Sequence, residues 1–294
     1  MKTILAATDF SRAASVAVRR AAQLAHTTGA KLELVHVLPA EPSPTSWTAL
    51  RSVFGFDATR ARDDAMNRLQ RAAGRPGVDL TAPVELHLAE GRAHAAIAGR
   101  AVAIDADLVV VGAHGEHFVL DVFVGTTAQR VLRASPVPVL VVRQAPIYRY
   151  EQVLIATDFS GASMAAARAA RRLFPGASFH FLHVWELPFE GSLTRAGVSQ
   201  TTIEDQRQRA ANDALRALES FAREAGFEDG GASARVRHGY PPARIKERAA
   251  ELDVDAVVLG AQGKSRLEAG LLGSVSEHVA AETPCDVLLV KAPA

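Results

Sequence analysis

ILAATDFS, Ile4 to Ser11, returns as VLIATDFS, Val153 to Ser160, and this recurrence decides how the rest of the chain is read. Working outward, LELVHV (Leu32 to Val37) is echoed by FHFLHV (Phe179 to Val184), and DLVVVGAHG (Asp107 to Gly115) by DAVVLGAQG (Asp255 to Gly263). SPVPVLVVR (Ser135 to Arg143) answers TPCDVLLVK (Thr283 to Lys291), and every pair is offset by 147 to 149 residues. So long a period means two whole domains rather than a solenoid. The expected domains are 1–145 and 150–294, with a seam near Gln144 to Tyr150. A chain of 294 residues with 48% hydrophobic content is long enough for two cores.

Within each half, short aliphatic runs alternate with segments rich in Ala and Arg. In the first half the runs are Thr3–Ala7, Leu32–Val37, Val84–Leu88, Leu108–Val111 and Val137–Val142. Near-continuous apolarity implies strands covered on both faces, and helical segments between them imply right-handed crossovers in a parallel sheet. The reading is α/β: two tandem Rossmann-like domains, each a five-stranded parallel sheet flanked by helices. Ser11 through His26 reads as the first helix, with Ser11 as N-cap and Gly29 just past the end. The segment from Pro39 to Phe56, with Trp47 and Phe54, breaks the periodicity and reads as a loop entering a second helix, either a lid over the strand ends or a surface excursion.

The charge balance, 33 Lys and Arg against 32 Asp and Glu, gives no overall field for a nucleic-acid backbone or an anionic bilayer. One cysteine, Cys285, excludes an intrachain disulfide framework and reads as a small core residue. The opening MKTILAATDF meets Asp9 before a signal-peptide core could form, and no apolar run reaches membrane-spanning length, so the expectation is a cytoplasmic protein. Six of the ten histidines lie in the first half, but His36, His87, His114 and His117 show no H-x-x-x-H or H-x-H spacing, and no metal site is expected. Arg60, Arg62, Arg68 and Arg71 are mixed with Asp63 and Asp64 and read as a solvated helix face.

The chemistry lies after the fourth strand of each half. Gly112 and Gly115 are followed, after nine intervening residues, by Gly125-Thr126-Thr127; Gly260 and Gly263 are followed, again after nine, by Gly273-Ser274. Phosphates need backbone N–H groups that converge without Cβ atoms in the way, and they favour a helix start, where orphan donors and the macrodipole attract negative charge. The carboxyl ends of parallel strands are where such sheets take ligands.

T-D-F-S after the first strand, H-V ending the second, G-2x-G-9x-G-[S/T] after the fourth and the P-V-P-V-L-V-V fifth strand together resemble the universal stress protein family, ATP-binding branch, across nearly all of both halves. The resemblance implies adenine near the ends of the first two strands, ribose and phosphates on the glycine loops, and a stress-linked regulatory binding function. It also implies that the two halves pair through their last strands as an internal pseudo-dimer, with association of two chains left open. By position it implies contacts from Ala7, Thr8, Asp9, Val37, Gly112, Gly115, Gly125, Thr126 and Thr127 in the first half. In the second half the counterparts are Ala156, Thr157, Asp158, Val184, Gly260, Gly263, Gly273, Ser274 and Val275, with Lys264 beside the loop. Asp9 and Asp158 are candidates for ribose hydroxyls or for Mg²⁺ brought in with ATP, or else for capping the first helix. Lys264 and Arg266 follow Gly263 whereas Glu116 and His117 follow Gly115, which favours the second half for a triphosphate. Neither a Walker A Gly-Lys-[Ser/Thr] nor a kinase catalytic loop is present, so catalytic residues are not assigned; a slow ATPase or phosphotransferase and a ligand-free interaction protein stand as the alternatives. An unidentified protein partner is expected; nucleic acid and membrane are not.

Overall fold

The computed structural model describes residues 1–39, 58–74, 83–113, 125–187, 195–196, 198–228, 232–263 and 272–292. The chain divides into two compact units, Met1–Arg149 and Tyr150–Ala294. Among the described residues no helix is long and apolar enough to cross a membrane.

Unit 1 runs β1 (Thr3–Ala7), α1 (Arg12–Thr28), β2 (Lys31–Leu38), α2 (Ala58–Ala73), β3 (Glu85–Glu90), α3 (Ala93–Ala103), β4 (Leu108–Gly112), α4 (Thr126–Ala134) and β5 (Val139–Val142). Its sheet is ordered β3-β2-β1-β4-β5 with every neighbour parallel. Unit 2 repeats this with β6 (Gln152–Ala156), α5 (Gly161–Leu173), β7 (Ser178–Trp185), α6 (Gln200–Glu224), β8 (Ala232–His238), α7 (Pro241–Glu251), β9 (Ala256–Gly260), α8 (Ser274–Glu282) and β10 (Asp286–Val290). Its order is β8-β7-β6-β9-β10, again parallel throughout. In each unit the chain first builds outward from the first strand and then returns to its other side. The carboxyl ends of β1 and β4, and of β6 and β9, therefore flank a topological switch point, where a crevice opens.

The apolar runs form the core as their composition demands. Ile4, Leu5, Ala6, Leu108, Val109 and Val110 are fully buried in unit 1, as are Val153, Leu154, Ile155, Val257 and Val258 in unit 2. β1 matches the sequence expectation residue for residue. β5 starts two residues later than expected, because Pro136 and Pro138 lack the N–H a ladder needs; Pro138 contributes only its carbonyl, to Val109 N–H at 2.9 Å. β3 extends past Leu88 to Glu90, since within its unit it pairs on one side only and tolerates a charge there.

α1 is capped as expected: Ser11 Oγ accepts from Ala14 N–H at 3.1 Å, and Gly29 closes the other end with φ of 68°. Ser160 caps α5 the same way, from Ser163 N–H at 3.2 Å. Asp107 Oδ2 accepts from the backbone of Lys2 and Thr3, and Asp255 Oδ2 from Glu151 and Gln152, so one aspartate per unit ties the fourth strand to the start of the first. The buried face of β2 carries Glu33, held by two bonds from Arg100 of α3 at 2.7 and 2.9 Å. That bond and charge raise the Arg100 pKa above its ordinary value. The matching position in unit 2 is His180. Its ring nitrogens meet Ser233 Oγ and Gln152 Oε1, each at 2.7 Å, and burial, with Arg248 nearby, lowers its pKa.

The segment Pro39 to Phe56 lies outside the described residues apart from Pro39. α2 begins at Ala58, beyond it. Arg62 and Arg68 of α2 are exposed, but they are not merely solvated: Arg62 pairs with Glu90, and the Arg68 guanidinium carbon sits 4.2 Å from the centre of the Phe10 ring. Cys285 is buried.

Candidate functional site

The first strand of each unit runs into the same turn. Thr8 N–H still reaches across to the Val35 carbonyl at 2.9 Å, so the ladder continues one residue past β1. Thr8 Oγ1 then accepts from Phe10 N–H and Asp9 Oδ1 from Ser11 N–H, both at 3.0 Å. These side-chain bonds fold the chain sharply into α1. Unit 2 reproduces them through Thr157 and Asp158, at 2.9 and 3.0 Å. The aspartates thus shape the turn, and Ser11 and Ser160 do the capping.

In unit 1 this turn borders a cavity of about 360 Å³ at the carboxyl edge of the sheet, within the usual range for small-molecule sites. Ala7, Thr8, Asp9, Val37, Gly112, Gly125, Thr126 and Thr127 all line it. Of the first-half candidates only Gly115 is not placed there, because it lies outside the described residues, as do His114, Glu116 and His117. The cavity also takes in Val35, His36, Ala93 and Ile97, which sequence reasoning did not assign. Ala93 and Ile97 belong to α3, and an alanine or isoleucine on a helix carries no spacing that separates a cavity wall from a core face.

In unit 2, Ala156, Thr157 and Asp158 close β6, Val184 lies next to the end of β7, Gly260 ends β9, and Gly273, Ser274 and Val275 open α8. A Cβ built on Gly263 would lie 3.0 Å from Asp158 Oδ2, which puts the carboxylate against the glycine loop. Gly273 is also close, with Gly263 N 3.5 Å from its notional Cβ. Lys264 and Arg266 lie outside the described residues.

The glycines divide by cause. A Cβ on Gly112 would meet the backbone of Ala13 and Ala14 at 2.9 to 3.0 Å, and one on Gly260 the backbone of Ser163 at 2.7 Å. These two are glycine because the first helix of each unit crosses them. Gly273 shows no such constraint: its φ is −66°, and among the described residues nothing stands closer than 3.5 Å to a Cβ there. Gly125 and Gly273 are the N-caps of α4 and α8, in the extended conformation a serine or aspartate adopts to cap, yet neither helix has a side-chain cap bond. Each glycine N–H is spent on the strand end, on Ala113 O at 2.7 Å and Ala261 O at 2.8 Å. Among the described residues the first-turn donors beyond have no capping side chain, and they lie at the positive end of the helix dipole.

A doubly wound parallel sheet, with a pocket at the switch point of unit 1 and a glycine helix start beside it, is the arrangement in which α/β proteins take ligands. The chain belongs to the universal stress protein family, whose sequence profile matches residues 1–143 and again 149–291. The universal stress protein MJ0531 of Methanocaldococcus jannaschii is 33% identical over 147 residues, 49% of this chain and 84% of that protein. A protein named putative universal stress protein SSP1056, from Staphylococcus saprophyticus, is 32% identical over 158 residues, 53% of this chain and 92% of its own. In fold, the chain is similar over 99% of its length to a universal stress protein from Archaeoglobus fulgidus, covering 98% of that chain, with a TM-score of 0.69 at 18% identity.

Proposed function

We propose that the protein binds ATP, or a related adenine nucleotide, at the switch point of each unit, with unit 2 the stronger triphosphate site. Occupancy then alters a surface read by a protein partner in a cytoplasmic stress response. The observation that carries this reading is the uncapped glycine start of α4 and α8. At both positions the extended backbone suits a capping serine, yet among the described residues no side chain caps either helix, which leaves donors for an anion. Thr126, Thr127 and Ser274 are exposed at those helix starts and could add hydroxyl donors. Asp158, against the Gly263 loop, would supply a carboxylate for Mg²⁺ carried in with the triphosphate. The preference for unit 2 rests on sequence charge, Lys264 and Arg266 against Glu116 and His117.

The test is to denature the purified protein and identify and count the small molecules released, comparing the parent with Gly273→Val and Gly125→Val. Because the weaker unit 1 site should lose its ligand during purification, the expected result is one adenine nucleotide per chain, lost in Gly273→Val and kept in Gly125→Val. No release from any variant, together with no thermal shift in millimolar ATP and Mg²⁺, would refute nucleotide binding and leave an interaction protein.

A further inference from the structure

His36 and His183 line or border the sites but hold no metal-binding spacing, and the nucleotide reading gives them no task. Two of their contacts recur in both units. His36 Nδ1 lies 2.8 Å from the Thr8 carbonyl oxygen, and His183 Nδ1 lies 2.8 Å from that of Thr157. A carbonyl only accepts, so Nδ1 carries the proton in each. The second strand thereby grips the turn residue from both sides: Val35 O takes Thr8 N–H and His36 gives to Thr8 O, as Leu182 O and His183 do for Thr157. In a parallel ladder the next donor to Thr8 O would be the N–H of Val37, a cavity residue. The imidazole donates to the same carbonyl oxygen that this N–H would reach in a continuing ladder.

Each ring also packs on the phenylalanine of its turn. His36 and Phe10 have centroids 4.3 Å apart at 33°, and His183 and Phe159 are 4.2 Å apart at 32°. Those phenylalanines have φ of 66° and 62°. A bulky side chain rarely adopts such backbone, and it persists only where its surroundings hold it. The strained residue directly follows Asp9 or Asp158, so holding it fixes where the carboxylate goes.

We infer that His36 and His183 are positioning residues of the two sites. The Nδ1–H anchors the carbonyl at the last rung of the ladder, and the stacked ring holds the strained Thr-Asp-Phe turn that presents Asp9 or Asp158 to the ligand. The affinity part of this inference rests on the proposed nucleotide binding; the part concerning the turn does not.

The experiment uses the full chain with His183→Leu, His183→Asn and His183→Gln. An asparagine amide can place a donor near the Nδ1 position, whereas glutamine reaches toward that of Nε2. Hydrogen exchange at the Phe159 and Ser160 amides in ligand-free protein reads the turn; ATP affinity in Mg²⁺ reads the site. His183→Leu should lose protection at both amides and bind ATP about tenfold more weakly, the size expected for one lost hydrogen bond. His183→Asn should recover most of both, and His183→Gln neither. Parent-like protection and affinity in His183→Leu would overturn the inference, as would an asparagine variant no better than leucine. If the parent itself binds no ATP, the nucleotide proposal fails, while the exchange comparison still decides whether the histidine holds the turn.

Discussion

Replacing Gly260 by alanine tests the claim that a helix crossing, not a ligand, dictates the glycine ending β9. The added methyl would stand 2.7 Å from Ser163 N, 2.9 Å from Ala162 C and 3.0 Å from Ala162 Cβ. Reaching the 3.4 Å of ordinary contact requires strand and helix to part by about 0.7 Å, and the opposing atoms are mostly backbone, which cannot swing aside. Overpacking of this kind costs roughly 1–3 kcal/mol. Displacing the first turn of α5 also threatens the Ser160 cap on Ser163 N–H, worth about 1 kcal/mol. The sum, about 2–4 kcal/mol, corresponds to a melting decrease on the order of 5–15 °C for a unit of this size. Scanning calorimetry of the full chain should show that decrease in one transition. Gly161→Ala is the control, since nothing lies within 4 Å of a Cβ there, and it should be neutral to within about 1 kcal/mol. A Gly260→Ala protein melting within about a degree of the parent would refute the crossing argument.

The buried ion pair and its counterpart make two further predictions. Glu33→Ala should destabilise unit 1 strongly, because it strands Arg100; with that side chain still 28% exposed, the loss should fall at the lower end of about 3–5 kcal/mol, read by urea unfolding. His180 has a lowered pKa in the folded chain, chiefly through burial and then through Arg248, so near the ordinary value of 6.5 the unfolded chain binds more protons than the folded one. Stability of unit 2 should therefore fall as pH drops through that range, and His180→Gln should flatten the dependence in melting curves taken from pH 8 to about 5. Other groups close to His180 are Gln152 on β6, Ser233 on β8 and Arg248 on α7, of which only the arginine is charged.

How far the fold could be read in advance depended on where the restraint lies. β1 and β4 are flanked by strands on both sides and buried on both faces, so their composition has little freedom; both ends of β1 and the start of β4 followed from apolarity, and β4 runs one residue further, to Gly112. β3 ran two residues past its apolar stretch because pairing with β2, not its own side chains, set its length. The Glu33–Arg100 pair was not legible: a glutamate inside LELVHV looks like a solvent-facing position. Only the packing of α3, which delivers an arginine 67 residues away, makes burial tolerable.

The site was legible where backbone geometry constrains residue type and obscure where side chains act on side chains. Glycine spacing located both helix starts, because donors that must converge on an anion exclude Cβ atoms. That same spacing merged two causes. Gly112 and Gly260 are held by a crossing helix, so their recurrence in both halves would follow even from a chain that bound nothing. Gly125 and Gly273 stand at the two uncapped helix starts, and for Gly273 no contact among the described residues explains the missing side chain. The helix caps, rather than the strand ends, therefore favour a ligand. Substituting Gly273 should separate the two effects: Gly273→Ser, which could cap α8 as Ser160 caps α5, should hold or raise stability while competing with an incoming phosphate for the same donors. Higher melting with weaker ATP binding is the expected pair of outcomes. Improved melting with unchanged affinity would show that those donors do not serve the ligand.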